Sequence, residues 1–261
     1  PNMKELASEP MQIQGLPDGF KEGPYAFKHN NKYYLTFPWV QDKTETLAYA
    51  MADSPMGPFT FTGIIMDESP SGCWTNHHSI TEYNGQWYLF YHHNDYSPNF
   101  DKNRSARIDS LFFNTDGTIK KVKPTLRGVG ITDARSKIQI DRYSTISPYG
   151  VTIDYLEPSN TFEGWQTLFN RAGTWVTYNK VDFGTTPVKR LKARVRSEKG
   201  GAITLRTPGE KGMTIAELPI KPTGKWTEIS TNVSNAPTSM QDLIITQTGE
   251  NPVAVDWISF E

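Results

Sequence analysis

The chain has 261 residues, which is enough for two domains of ordinary size or for one large all-β domain. Its 27 Lys and Arg side chains nearly balance 28 Asp and Glu, so the formal net charge is −1. Because no basic block stands out and phosphate binding needs clustered positive charge, nucleic acid is not an expected partner. No apolar run approaches the length that spans a membrane, so no membrane partner is predicted either.

The residue pattern predicts an all-β protein. Short runs rich in Val, Ile, Thr, Tyr, Phe and Trp alternate with Gly, Pro, Asn and Asp, and helical periodicity is almost absent. Aromatic residues make up 12% of the chain. Aromatic rings suit both sheet cores and the flat faces of sugars, so composition leaves both uses open. The single cysteine, Cys73, allows no disulfide within the chain.

Two segments near the start repeat the same pattern, a polar turn followed by an aromatic strand, over residues 29–37 and 83–91. Tyr33 aligns with Trp87, and a repeat of this size is typical of propeller blades. A third unit is predicted over 104–117, where a strand precedes an Asn-Thr-Asp-Gly turn. Since two or three blades cannot close a propeller, either blades lie upstream of this segment or the fold is a different β fold.

The character of the sequence changes near Gly128-Val129-Gly130. Beyond it, Gly and Pro turns separate predicted strands at 175–178, 192–195, 202–206 and 253–260. This pattern predicts a β-sandwich of ordinary domain size. We therefore predict two domains, the closing blades of a propeller over 1–130 and a β-sandwich over 131–261.

The first candidate for chemistry is Glu22-Gly23-Pro24-Tyr25, a carboxylate at a rigid bend before an aromatic strand. Hydrolysis of a glycosidic bond needs one carboxylic acid that protonates the leaving oxygen. Partial desolvation beside an aromatic ring favours the protonated form of a Glu and suits it to that role. On these four residues alone, a surface Glu before a turn is the simpler interpretation.

Two further segments carry side chains that could bind a sugar or a metal. In the segment Trp74–His78, two adjacent His side chains on a strand point to opposite faces, so only one can face a shared centre. Arg104 offers rigid paired donors to a carboxylate or to sugar hydroxyls. The simpler interpretations are a hydrogen-bonded structural His, for His92 and His93 as well, and a surface Arg, which we prefer for Arg107.

In this order the segments resemble the second half of a glycoside hydrolase family 43 catalytic domain. Glu22-Gly23-Pro24 is followed by the segment 54–59, by Asn76-His77, by Arg104 and by the run 109–119. The resemblance covers about residues 15–130. It implies a five-bladed propeller and an inverting enzyme of the β-xylosidase, α-L-arabinofuranosidase or arabinanase type, acting on saccharides derived from xylan, arabinoxylan or arabinan.

The resemblance also implies roles for individual residues. Glu22 matches the general acid, His77 the central His that helps to hold calcium or water, and Arg104 an Arg of the sugar subsite. Tyr25 and Trp74, beside the acid and the His, join His77 and Arg104 as expected substrate-binding residues. The family's base Asp and tuning Asp lie on earlier blades, upstream of Pro1. The mechanism is complete only if those blades are present, for example on an associated N-terminal fragment of the same enzyme.

The second half resembles carbohydrate-binding module family 6 over about residues 137–261. The resemblance rests on the segments 181–184, 192–195, 223–226 and 255–260. It implies a jelly-roll sandwich with a structural calcium ion, for which Asp141 and Asp256 are the expected carboxylate ligands. The alternative for Asp256 is that it merely caps the last strand.

The same resemblance makes Trp226 an aromatic residue of the usual sugar cleft, with Trp165 as its possible partner in a sandwich around the sugar. Ala254 stands where the family usually has a cleft Asn, so a module that only braces the propeller is the alternative to one that binds glycan. Together, the two resemblances favour a secreted or periplasmic hydrolase. The competing hypothesis is a non-catalytic carbohydrate-binding protein.

Overall fold

The computed structural model describes residues 4–6, 8–96, 101–102, 104–210 and 212–261. The chain divides into two compact units, 1–124 and 125–261, so the division lies slightly before the predicted boundary at 131. Both units consist of β-strands, as predicted, with single-turn 3-10 helices at Ile140–Arg142 and Thr161–Glu163. Within the described ranges, no helix is both long and apolar enough to cross a membrane.

The described residues of unit 1 form two antiparallel sheets. The first has the order β1-β2-β3-β4 and the second the order β5-β6-β7. The strands are β1 (Tyr25–His29), β2 (Lys32–Val40), β3 (Glu45–Ala52), β4 (Thr60–Met66), β5 (His78–Tyr83), β6 (Gln86–His93) and β7 (Ser105–Leu111). Each sheet has the form of a propeller blade, in which consecutive strands pair as neighbours.

The predicted repeat is confirmed by two matching hairpins. Asn30 and Asn31 join β1 to β2, Asn84 and Gly85 join β5 to β6, and all four have positive φ. Positive φ at both turn positions matches the twist of the flanking strands, which is why Asn and Gly occur there. Tyr33 and Trp87 each occupy the second position of the strand that follows the turn, as the alignment predicted.

The prediction of a third unit over 104–117 is wrong. Strand β7 pairs along β6, with Leu89 opposite Asp109, so it completes the second sheet. The turn at 114–117 then leads into an isolated bridge between Phe113 and Ile119. Strand β7 pairs with the open edge of β6, and the local residue pattern of 104–117 does not specify this long-range pairing.

One core cluster of unit 1 lies between the two sheets. Residues of β2, β3 and β4 pack there against residues of β5, β6 and β7, and the cluster includes Tyr34, Leu47, Ile65, Ile80, Leu89 and Leu111, all nearly inaccessible to solvent. Phe27 stacks on Tyr34 with their ring centroids 4.6 Å apart. This packing fixes the ends of β1 and β5, which carry the candidate catalytic side chains.

Unit 2 is a sandwich of two sheets, which confirms the predicted fold. One sheet has the order β10-β13-β18-β15-β16 with β8 beside β13, and the other has the order β11-β12-β19-β14-β17 with β9 beside β19. The strands are β8 (Thr132–Asp133), β9 (Ile138–Gln139), β10 (Thr145–Ile146), β11 (Val151–Tyr155), β12 (Trp165–Phe169), β13 (Trp175–Asp182), β14 (Arg190–Arg196), β15 (Gly201–Arg206), β16 (Thr214–Ile220), β17 (Thr227–Asn232), β18 (Met240–Gln247) and β19 (Val253–Phe260).

The inner faces of these two sheets form one large apolar core. Inward residues alternate with outward ones along each strand, as in β14, where Leu191, Ala193 and Val195 are fully buried. In β19 a bulge opposite Arg194 and Val195 shifts the alternation, so that Asp256 lies outside the apolar cluster while Val255 and Ile258 belong to it. Asp256 is thereby brought to the outward side of β14.

Candidate functional site

The central contact of unit 1 joins Glu22 to His77. Glu22 precedes β1, His77 precedes β5, and Oε1 of Glu22 lies 3.1 Å from Nε2 of His77. The Glu22 side chain is 65% exposed and the His77 side chain 32% exposed. The structure thus brings together two residues that are 55 positions apart in the sequence, both of which were predicted as site residues. The desolvation expected for Glu22 is not present in the described part of the chain.

Gly23 allows this pair to form. Its φ is +66°, and a Cβ built on it would lie only 3.1 to 3.3 Å from three ring atoms of His77. Any other residue would be strained in this conformation and would push against the imidazole. The Glu-Gly-Pro bend therefore exposes the carboxylate and at the same time makes room for the His77 ring.

Two further histidines, His78 and His92, hold the backbone around His77 in place. The backbone N–H of His77 donates to Nε2 of His92 at 3.1 Å. Nε2 of His78 donates to Oγ1 of Thr36 at 2.6 Å, since the Thr36 hydroxyl itself donates to the carbonyl of Tyr25 at 3.0 Å. These bonds tie the start of β5 to β1 and β2, so His77 is held by its backbone as well as by its ring.

Arg104 lies beside these histidines. It lines an open pocket of about 340 Å³ together with residues of β5, β6 and β7, namely His77, His78, Ser79, Phe90, Tyr91, His92 and Ala106. Burial, and after it the positive charge of Arg104, lowers the pKa of His92 to about 4. The arrangement therefore combines an exposed carboxylate, a His that contacts it and a guanidinium along one rim.

The other two predicted substrate-binding residues of unit 1 occupy different positions. The Tyr25 ring meets the His78 ring edge-on with 6.4 Å between centroids, which places it next to the site. Trp74 is held by its backbone, which accepts from the N–H of Glu45 and donates to the carbonyl of Asp101. Trp74 does not line the Arg104 pocket.

The preferred interpretation of Arg107 as a surface arginine is wrong. Its side chain is 5% exposed and forms an ion pair with Asp95, and its guanidinium lies 5.8 Å from the ring centroid of Tyr96. His93 is buried in the same cluster, with Nε2 3.4 Å from Nδ2 of Asn76. Successive side chains of β7 point to opposite faces of the sheet, so Arg107 points inward while Ala106 points outward. This alternation was the signal in the sequence that could have predicted the burial of Arg107.

Two pockets lie among the described residues of unit 2 that we consider as ligand sites. One, of about 340 Å³, is formed by residues 196–199, 251–252, Leu168 and Ala254. The other, of about 290 Å³, lies on the outward side of β13, β15 and β18, where Trp175, Thr177, Arg206, Ile244 and Thr246 line it. Trp175 was not predicted as a site residue, although its alternation with the fully buried Val176 in the sequence already places it on the outward face.

Comparison with known families tests the two resemblances. Residues 3–119 match the family described as glycosyl hydrolases family 43, and residues 147–261 match the carbohydrate binding module, family 6. The chain is thus similar to a family 43 glycosyl hydrolase in its first part and to a family 6 carbohydrate-binding module in its second, and we call unit 1 the family 43 segment and unit 2 the family 6 module. Both resemblances found in the sequence are thereby confirmed, with their order along the chain.

Individual relatives agree with this result. An arabinoxylan arabinofuranohydrolase from Paenibacillus polymyxa is 28% identical over 258 residues, covering 87% of this chain and 40% of the relative. A β-xylosidase from Xylanibacter ruminicola is 43% identical over 109 residues, covering 41% of this chain and 32% of the relative. The chain thus spans less than half the length of these curated relatives.

A solved structure supports the fold. A glycoside hydrolase family 43 arabinoxylan arabinofuranohydrolase from Bacillus subtilis, in complex with cellotetraose, is similar with a TM-score of 0.57 and 24% identity. The similarity covers 93% of this chain and 54% of that chain. The likeness extends over both the family 43 segment and the family 6 module.

The family 6 module contains two buried carboxylates, those of the predicted calcium ligands Asp141 and Asp256. They lie on neighbouring segments, since β9 leads into the 3-10 helix of Asp141 and pairs with β19. Oδ2 of Asp256 accepts from the Arg194 guanidinium at 2.6 Å, and burial raises the pKa of Asp256. Among the described residues no group of three or more His, Cys, Asp or Glu could hold a metal, so calcium here would need carbonyl or water oxygens too.

The two predicted cleft tryptophans have different partners in the module. Trp165 stacks on Tyr155 at the end of the β11–β12 hairpin, with ring centroids 4.4 Å apart. Trp226 lies beneath two guanidinium groups, 5.4 Å from that of Arg194 and 5.1 Å from that of Arg196. The structure thus shows a contact for each ring, with Tyr155 for Trp165 and with the two guanidinium groups for Trp226.

We expect acid to destabilise the family 43 segment selectively. Burial is the largest cause that lowers the pKa of His78 and His92 to about 4 and that of His93 to about 3. An unfolded His titrates near 6.5, so below that pH the unfolded chain binds protons that the folded segment does not, and the free energy of unfolding falls. At pH 5 the loss for the fully buried His93 alone is on the order of 2 kcal/mol.

The measurement is amide hydrogen exchange at pH 7 and pH 5, corrected for intrinsic rates. The five histidines of the chain all precede residue 125, so the family 6 module serves as the internal control. Strands β5 to β7 should lose protection at pH 5 while β13 and β19 keep theirs. An equal loss in both parts would contradict the assignment to the histidines.

Proposed function

We propose that the protein hydrolyses glycosidic bonds in saccharides derived from xylan, arabinoxylan or arabinan, with inversion at the anomeric carbon. The observation that carries this proposal is the Glu22–His77 contact at the rim of the Arg104 pocket. The family 43 match and the names of the relatives, a β-xylosidase and an arabinoxylan arabinofuranohydrolase, support the substrate class.

In the proposed step, Glu22 is the general acid. Its carboxyl proton passes to the glycosidic oxygen as the bond from that oxygen to the anomeric carbon breaks. A water molecule attacks the anomeric carbon from the opposite face and gives its proton to a carboxylate base, expected on blades that precede this segment. His77 positions the Glu22 carboxyl through their 3.1 Å contact, and the exposed Arg104 guanidinium donates to sugar hydroxyls.

The experiment is an assay of the full-length protein on nitrophenyl β-xyloside and nitrophenyl α-L-arabinofuranoside, with polypeptide content checked by mass spectrometry. Release from either substrate supports hydrolysis and names the sugar, and NMR of the first-formed anomer tests inversion. No release from both, with the complete polypeptide confirmed, would contradict the hydrolase proposal and leave carbohydrate binding as the function.

For the family 6 module we propose binding of neutral oligosaccharides at the Trp175 pocket. Trp175 offers an indole ring on an open sheet face, and Thr177, Thr246 and Arg206 surround it with hydroxyl and guanidinium groups. An apolar ring bordered by polar groups suits the face and the hydroxyls of a sugar. This pocket is the observation that favours the second candidate function, a protein that binds carbohydrate without cleaving it.

Replacement of Trp175 by Ala should therefore weaken binding of xylotetraose by at least roughly tenfold, since the loss of one stacked ring removes most of the contact. Phe162→Ala is the matched control, because Phe162 is an exposed aromatic residue of the same unit. Titration calorimetry measures both variants, together with Trp226→Ala. Loss of binding in Trp226→Ala with Trp175→Ala unaffected would return the site to the cleft predicted from the sequence.

We propose further that a calcium ion binds near Asp141 and Asp256. Their burial on adjoining segments supports this, because a cation would compensate two desolvated carboxylates. Addition of a chelator should then lower the melting temperature of the family 6 module, and excess calcium should restore it. A melting curve that does not respond to chelator would contradict the calcium site and mean that protein cations such as Arg142 and Arg194 compensate the two carboxylates.

We also propose that the protein acts outside the cytoplasm, in the periplasm or as a secreted enzyme. Polymeric xylans are too large to enter a cell intact, and two of the relatives are named for arabinoxylan. Fractionation of the native host with an antibody against residues 125–261 tests this. Recovery of the antigen in the cytosol alone would contradict it.

A further inference from the structure

One pocket of the family 6 module combines apolar and cationic side chains. It is formed by residues 196–199, 251–252, Leu168 and Ala254, and we call it the Arg196 pocket. Leu168, Ala254 and Arg196 stand side by side on the outward face of β12, β19 and β14, since Ala254 pairs with both of the others. Leu168 and Ala254 form an apolar floor, and the exposed side chains of Arg196 and Lys199 provide cationic groups at its edge.

The two arginines beside Trp226 differ in what they bind. Arg194 donates to Asp256 at 2.6 Å and is thereby neutralised within the protein. Arg196 rests on the same ring, 5.1 Å from its centroid, yet in the part of the chain that the structure describes it forms no ion pair. The ring thus holds the Arg196 guanidinium over the pocket with its five N–H donors available.

The charged side chains that line the pocket carry a net positive charge, because Arg196 and Lys199 oppose one lining carboxylate, that of Glu198. The Glu157 carboxylate also lies close enough to Arg196 to interact with its charge, but its hydrogen bonds come from the backbone N–H and the hydroxyl of Ser159. The N–H donors of Arg196 therefore remain available to an added carboxylate.

We propose that the Arg196 pocket binds the carboxylate of an acidic sugar, a uronic acid carried on a xylan-type chain. The planar fork of a guanidinium matches a planar carboxylate with two parallel hydrogen bonds, which a neutral hydroxymethyl group cannot accept. The apolar floor of Leu168 and Ala254 receives the sugar face, and Lys199 adds a second positive charge. This inference rests on the proposed carbohydrate binding and assigns the acidic substituent to a pocket other than the Trp175 pocket.

The test is titration calorimetry of the whole chain, at low salt, with two matched probes. One is a xylotriose that carries a single glucuronic acid, and the other is the same oligosaccharide with its carboxyl group reduced to an alcohol. The acidic probe should bind roughly tenfold more tightly, as expected for one charge-assisted hydrogen-bonded pair, and the difference should shrink in high salt.

Variants assign the preference to the pocket. Arg196→Gln should abolish the preference for the acidic probe, while Arg196→Lys should retain part of it, since the charge remains and the fork is lost. Lys120→Gln removes the same charge from an exposed site in unit 1 and should leave the preference unchanged. A melting temperature for each variant confirms that it is folded.

The outcomes separate this inference from the proposed function. Equal binding of both probes, with loss of both in Trp175→Ala, would overturn the acidic-sugar inference and leave the binding function intact. A preference that survives in Arg196→Gln would overturn it as well. If neither probe binds the folded wild-type chain, both the inference and the proposed binding function of the module fall.

Discussion

Replacement of Glu22 by Gln in the full-length protein is expected to lower turnover by about 10²- to 10⁴-fold on substrates whose leaving group needs a proton. Gln keeps the shape of Glu and the contact with His77 but has no proton to give to the glycosidic oxygen. Steady-state rates on xylobiose, compared with rates on a dinitrophenyl xyloside, measure the effect. The dinitrophenol leaves without protonation, so the defect should nearly vanish with that substrate.

Glu82→Gln is the matched control for this variant. Glu82 is an exposed Glu of the same unit, at the far end of β5, and the same change of charge there should leave both rates within the error of the assay. Equal defects of Glu22→Gln on both substrates would point to a loss of positioning in place of acid catalysis. Full activity of Glu22→Gln on xylobiose would remove Glu22 from the mechanism.

The sequence predicted best what depends on neighbouring residues. The hairpin turns at Asn30-Asn31 and Asn84-Gly85 follow from local φ preference, and the strands of the sandwich follow from alternation and turn residues. The order of the motifs was enough to identify both families. Such features survive in a single sequence because each needs only a few adjacent side chains to specify it.

Pairing over long distances was where prediction failed. Whether residues 104–117 begin a new blade or complete the previous one depends on which strand edge is open, and no local pattern records that. The burial of Arg107 is a similar case, because Asp95 and Tyr96 lie on the loop after β6 and the ion pair forms only when that loop packs against β7. In both cases the strand was predicted correctly, and the error concerned which strand or side chain it contacts.

In the family 6 module, the sequence was less informative about functional residues than about strands. Trp226 was predicted as an aromatic residue of the sugar cleft, but the sequence could not show that Arg194 and Arg196 lie against its ring. Conversely, Trp175 stood in a strand that was predicted correctly, and only the fold showed that β15 and β18 complete a pocket around it. The chemistry of a sheet face depends on strands that are distant in sequence.

The last strand, β19, should contribute most to the stability of the module, and Phe260 tests this. Its side chain is fully buried and meets Phe183 edge-on with 5.0 Å between ring centroids, while its strand pairs with β14. Phe260→Ala should therefore lower the free energy of unfolding by about 3–5 kcal/mol, through lost burial and the cavity left behind.

That loss is a large share of the roughly 5–15 kcal/mol that stabilises an ordinary domain, so urea unfolding followed by hydrogen exchange in β13 and β19 should shift strongly. Phe162→Ala is the matched control, because Phe162 is 99% exposed and its removal should change the free energy by less than about 0.5 kcal/mol. Similar shifts for the two variants would mean that β19 does not close the core, in conflict with the sandwich. A large shift for Phe260 alone would show that β19 packs into the cooperative core of the module, and this strand carries Ala254 of the Arg196 pocket and Asp256 of the calcium proposal.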